Sequence, residues 1–317
     1  MDDAHFFEAW FPILEAKDLI TVQKPLDKAA HNYYQNMHRV HESLLSTACF
    51  VGVAARMAWA EAMANYDVEN EAAQGLELPS GELIDDYRSA RSQHYILEQI
   101  RLDEEHEGGP TRRFYGQAGQ FMLNAMKRYP VFPLKGGLDA ILSSAVIHAS
   151  AAMELCLKQV CKIACTQPVI EDRLALKKVD KDTNKPRIFH LAQDQRGVPR
   201  MTPKNGLKGG FASMGGLRVE YALAFHFDSS DIDDAMASYD LEAVALVRNL
   251  LLHHNGCSDE QFRGQAEGIP ILATARSLPD GTKIPLEGSF VSELLTSSLQ
   301  AVKRVVISVD QWLQRNN

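Results

Sequence analysis

Close to one another in the last quarter of the chain, Arg248-Asn249-Leu250-Leu251-Leu252-His253-His254-Asn255-Gly256 brings a permanent cation, a neutral amide and two imidazoles together. An arginine fork holds phosphate through paired N–H donors. An imidazole gives or takes a proton near neutral pH. RNA supplies its own nucleophile, the 2′-hydroxyl, so a set this small has the parts needed to cleave it without a metal ion.

The element that must hold these groups is a helix from about Asp240 to His254. Val244, Val247 and Leu251 fall on one face with Ala243, Leu246 and Leu250 beside them, Asp240 is the expected N-cap, and Asn255-Gly256 is a helix stop. At about 100° per residue, Asn249 and His253 lie within ~40° of each other, whereas Arg248 stands ~140° from His253. The Asn249 amide is therefore expected to bond the His253 ring and fix its tautomer. That makes His253 the expected acid–base group, with His254 in a supporting or phosphate-contacting role. The splay of Arg248 from His253 calls for a distorted helix end or for a second copy of the helix crossing at the same place.

This pattern, Arg248-Asn249, three apolar residues, His253 and then Asn255-Gly256, resembles the signature of the HEPN superfamily, with His254 also inside the permitted spacing. The resemblance extends to His148-Ala149-Ser150-Ala151-Ala152-Met153-Glu154, which is similar to the family's earlier core helix. It implies an all-α helical bundle with a HEPN-like C-terminal domain over 134–317 and a small β-hairpin insertion. It also implies a metal-independent endoribonuclease of the toxin or antiviral-defence kind, with RNA as substrate and no cofactor. Arg248, Asn249 and His253 would be catalytic in a site built by a homodimer. Glu154 would pair with or orient Arg248, and Asn255 would support the turn. About the first 130 residues stay outside the resemblance.

Charge is divided unevenly. The net charge of −8 argues against a protein that coats nucleic acid over a broad basic surface. Residues 1–110 hold 20 acidic against 8 basic side chains, while 173–208 holds 10 basic against 3 acidic. The basic stretch offers Lys177, Lys178, Lys204 and Lys208 as candidates to follow an RNA backbone. The acidic 1–133 region reads as helical and suited to regulation or to a partner such as an antitoxin or regulatory protein.

No run reaches the ~18 consecutive apolar residues of a bilayer span, and Met1-Asp2-Asp3-Ala4-His5 is acidic where a signal peptide is basic. The expected location is the cytoplasm, away from membranes. The five cysteines, three of them in one stretch (Cys156, Cys161, Cys165), show no zinc spacing and are expected to be buried, reduced thiols.

Apolar spacing predicts further helices over Ala4–Val22, Leu26–Asn65, Ser80–Glu105, Pro110–Tyr129, Leu138–Thr166 and Ser289–Gln314. The basic connection reads as irregular with short elements at most, and Ile269–Thr274 with Thr282–Leu286 around Leu278-Pro279-Asp280-Gly281 reads as the hairpin. Blander readings compete with the chemical ones. A helix end with cationic residues often only packs and caps; Glu154 in an Ala-rich helix pairs readily with a nearby Arg or Lys; and His38 and His41, with Glu42 beside them, read as a polar helix face more than as a metal site. The non-ribonuclease alternatives are an RNA- or nucleotide-binding module of the same fold and a helical interaction protein.

Overall fold

The computed structural model describes residues 26–105, 117, 121, 124–125, 134–165, 189–193, 199–203, 214–225 and 230–316. Within them the chain is mostly helical. Its elements are α1 (Asp27–Ala73), α2 (Glu82–Glu104), α3 (Leu134–Cys165), β1 (Phe189–Gln193), β2 (Pro199–Pro203), α4 (Met214–Phe225), α5 (Ser230–Met236), α6 (Tyr239–His253), α7 (Glu260–Gln265), a 3₁₀ turn (Pro270–Leu272), α8 (Ala273–Arg276) and α9 (Gly288–Asn316). The expected helices over Ala4–Val22 and most of Pro110–Tyr129 lie outside the described residues.

Two compact units divide the chain. One contains 42–140 and 287–289, the other 141–286 and 290–317 together with α1 up to His41. In the first, the remainder of α1 runs antiparallel to α2, because Tyr95 donates to Asp67 while Tyr87 and Arg91 bond Glu71 farther along α1. The Asp67 bond is the main cause that raises the Tyr95 phenol above its ordinary value, and burial adds to it. This part of α1 buries small residues, Ala60, Ala64 and Val68, and leaves Phe50 (78%) and Met57 (57%) exposed.

The second unit holds the larger core. Leu142, Val146, Ala149, Met153, Leu157, Val160 and Ala164 recur at three- and four-residue intervals along α3, and Val291, Leu295, Leu299, Val302, Val305 and Val309 do so along α9; all are buried. Cross-links between helices are specific. Tyr221 of α4 donates to Leu157 O of α3 at 2.8 Å, and the Phe225 ring meets Trp312 of α9 edge-on at 5.2 Å. Valine-rich α9 is helical despite its β-branched content, because burying the valine stripe outweighs a few tenths of a kcal/mol of propensity per residue.

Gly136 and Gly137, ahead of the expected helix start at Leu138, lie inside α3. The helix begins directly after Pro133, and a glycine in the first turn loses few intrahelical bonds. Among the described residues two helices are long and apolar enough to cross a bilayer by length and composition, α1 and 136–164 of α3. In α3 50% of the apolar window is buried, as a core helix requires; in α1 25% is. Both windows mix polar residues among apolar ones, so a search for an uninterrupted run passes over them.

The hairpin expected at 269–286 is not there. Ile269, Leu272 and Ala275 are all buried at three-residue spacing, which is a helical period; Pro270 at the start presets φ for the 3₁₀ turn that runs into α8. Pro279 and Gly281 do form the expected turn, closed by Thr282 N–H to Pro279 O. Its far arm pairs instead with the residues after α6, through an isolated antiparallel bridge between Cys257 and Lys283. Among the described residues the strands are β1 and β2, an antiparallel pair with Phe189 opposite Pro203, inside the connection read as irregular with short elements at most.

Cysteine environments differ more than composition suggested. Cys156 and Cys161 are buried, Cys257 is half-buried and Cys49 is exposed. Burial pushes the Cys156 thiol up to about 12, which leaves almost no thiolate at pH 8. Maleimide footprinting of the folded protein at pH 8 should label Cys49 first and Cys156 and Cys161 only after unfolding. Equal rates for Cys49 and Cys156 would overturn the burial of Cys156 in the α3 core.

Candidate functional site

The candidate site stands on α6, and both ends of that helix are tied down. Ser238, not Asp240, is the N-cap: its Oγ accepts the Asp240 N–H at 3.3 Å and donates to Asp240 Oδ2 at 3.0 Å. Arg304 of α9 adds contacts to both side chains, at 3.1 Å and 3.0 Å. Arg218 of α4, 6% exposed, donates to Met236 O at 2.7 Å, to Ser238 O at 3.4 Å and to the Glu242 carboxylate. The inner face, Leu241, Ala243, Val244, Leu246, Val247 and Leu250, is buried. Burying such a stripe supplies the stability that propensity alone would not.

At the other end His254 is the C-cap, and Asn255 and Gly256 follow in left-handed conformation with φ of 53° and 73°. Asparagine and glycine tolerate this region best. The His254 and Gly256 N–H groups both reach Leu250 O at 3.0 Å, so a carbonyl that the helix end would leave open is satisfied twice. The chain is then stitched to the 281–284 segment by Ser258 N–H to Thr282 O, Gly281 N–H to Ser258 O and Ile284 N–H to Gly256 O, all 2.8–2.9 Å. The helix stop read from Asn255-Gly256 is thus a fixed turn.

Arg248 is half-buried, whereas Asn249, His253, His254 and Asn255 are exposed. Arg248 Nη1 donates to Asn249 Oδ1 at 3.0 Å. The long arginine stem folds across the ~100° that separates neighbours on a helix. The Asn249 oxygen is therefore turned to Arg248, not to His253 as expected, and His253 has no hydrogen-bond or ion-pair partner among the described residues. His254 has one: its Nδ1 lies 2.9 Å from Asp259 Oδ2. Sequence reading passed over Asp259 because helix angles do not extend beyond the left-handed turn.

Glu154 faces a different partner from the one expected. Its carboxylate pairs with Lys158 Nζ at 3.5 Å, one turn along α3, with the two side chains 14% and 28% exposed. An i, i+4 Glu-to-Lys pair satisfies the acid locally, and among the described residues nothing joins it to Arg248. Lys177, Lys178, Lys204 and Lys208 lie outside the described residues. The structure thus assembles Arg248 with Asn249 and His254 with Asp259; among the described residues neither histidine contacts Arg248.

Chemically, the surface of α6 offers an anion-binding fork held by an amide and, at the helix end, imidazoles of which one is backed by a carboxylate. Compared with models of protein families, with curated proteins and with solved structures, the chain matches none.

Proposed function

We propose that the chain is a metal-independent endoribonuclease of HEPN-like character that works as a homodimer. The observation that carries this reading is the Arg248–Asn249 pair. On a helix whose inner face is fully engaged in the core, these two outward polar side chains have, among the described residues, only each other as hydrogen-bond partner. An arginine fork kept oriented by an amide, and not consumed by an acidic partner, is suited to a phosphate. Histidines at the same helix end supply the proton transfer.

In this reading the RNA 2′-hydroxyl attacks the adjacent phosphorus, Arg248 stabilises the charge that builds on the phosphorane oxygens, and Asn249 holds the guanidinium in place. The P–O5′ bond breaks to leave a 2′,3′-cyclic phosphate and a 5′-hydroxyl. Arg248 and the histidines point apart on one helix, so a second copy completes the site. The protein acts in the cytoplasm, and the acidic N-terminal region receives a regulatory partner such as an antitoxin.

The test is incubation of the pure protein with end-labelled RNA in EDTA, together with light scattering. Cleavage leaving cyclic phosphate ends, by a species of about twice 35.3 kDa, is the expected outcome. RNA retained without cleavage would point to a binding module, and inert RNA to an interaction protein. A strict monomer that cleaves would remove the shared site.

A further inference from the structure

The two histidines at the end of α6 are held differently. His253 is exposed with no partner among the described residues, while His254 has Nδ1 2.9 Å from Asp259 Oδ2, the two side chains 46% and 32% exposed. Asp259 is itself immobilised. Its other oxygen, Oδ1, accepts the Phe262 N–H at 2.6 Å as the N-cap of α7, and Phe262 is buried. Ser258 beside it is buried and bonded through its backbone to Thr282 and Gly281. The carboxylate is fixed by bonds that do not involve the histidine, which a chance surface contact would lack.

This geometry has a consequence for the imidazole. An unprotonated Nδ1 at 2.9 Å from a carboxylate oxygen would set two lone pairs against each other, so in the neutral ring the proton belongs on Nδ1. Nε2 is then left with its lone pair, on the side of the ring away from Asp259. A base that must take a proton from a hydroxyl needs that arrangement, and a carboxylate behind it also stabilises the imidazolium that forms.

We propose that Asp259 is a positioning residue that holds His254 in the Nδ1–H tautomer, and that His254 Nε2, not His253, takes the proton from the RNA 2′-hydroxyl. The assignment rests on the ribonuclease reading. As the 2′-oxygen bonds to phosphorus its proton passes to Nε2; as the P–O5′ bond breaks, that proton passes to the departing 5′-oxygen, and the ring returns to its starting state.

Asp259→Asn in the full chain separates this role from capping. Asparagine is as good an N-cap as aspartate, so Oδ1 still accepts the Phe262 N–H, but an NH₂ group replaces the oxygen facing His254. That donor requires a lone pair on Nδ1 and moves the ring proton to Nε2. The readouts are ¹⁵N imidazole shifts, with the His254 signals assigned by His254→Gln, and RNA cleavage kinetics in EDTA. The expected results are an Nδ1–H tautomer in the wild type, an Nε2–H tautomer in D259N, and a fall in kcat of about 10²- to 10⁴-fold with KM nearly constant. An Nε2–H tautomer in the wild type overturns the pairing whatever cleavage shows. Wild-type cleavage that D259N leaves intact overturns the His254 assignment alone. A wild type that never cleaves RNA overturns the ribonuclease reading instead.

Discussion

Arg248→Ala should lower RNA cleavage by about 10²- to 10³-fold, the usual consequence of removing one donor that stabilises charge in a transition state. The loss should appear in kcat and in kcat/KM together, since the phosphorane gathers more charge on its oxygens than the ground-state diester. Stability should stay within about 0.5 kcal/mol, because the side chain projects from the outer face of α6 and its hydrogen bond among the described residues is to exposed Asn249. Lysine is not an adequate replacement, as it lacks the planar fork that can grip two phosphate oxygens while bonded to the amide. Urea melts beside single-turnover cleavage would check both halves. Full activity in a folded Arg248→Ala protein would move the site elsewhere.

Arg218→Ala should have the largest effect on folding, about 2–4 kcal/mol of destabilisation. The side chain is 6% exposed, and its guanidinium holds Met236 O, Ser238 O and Glu242 at the start of α6. Its removal leaves carbonyls without their donor and a space where the stem packed. Glu242, with a side chain 37% exposed, regains water and adds less than a fully buried partner would. Arg218→Lys should recover less than half of the loss, because a single ammonium does not reproduce the planar fork whose three nitrogens each meet a different acceptor. The midpoint of urea unfolding should fall with the slope unchanged. A shift under about 0.5 kcal/mol in both variants would show that α6 is anchored by its apolar face alone. The same variants separate stability from chemistry, since Arg218 lies at the end of the helix opposite the histidines.

The long helices that carry the core and the candidate site were legible in the sequence, whereas α4 (Met214–Phe225) and α5 (Ser230–Met236) were not expected. Expected bounds of Leu138–Thr166, Asp240–His254 and Ser289–Gln314 meet observed bounds of Leu134–Cys165, Tyr239–His253 and Gly288–Asn316 within a few residues. Period and stop signals act over four or five residues, where the hydrogen bonds of a helix also act. The 269–276 segment was misread because a short apolar run suits a strand or a helix equally. What decided it was burial of Ile269, Leu272 and Ala275 at a spacing of three, which only packing reveals.

For the site, the sequence by itself determined which side chains share α6, that its apolar face is inward, and that the chain leaves helical geometry at Asn255-Gly256. These are consequences of local backbone chemistry. Which group each side chain meets was decided by the tertiary structure. Glu154 finds Lys158 one turn away, Asn249 turns to Arg248, and Arg218, distant in sequence, fastens the start of the helix. Asp259 reaches His254 because two left-handed residues reverse the chain and the 281–284 segment holds it there. Helix angles end where such a turn begins; the positions beyond it depend on backbone bonds to a segment more than twenty residues away, and spacing along the chain does not encode them.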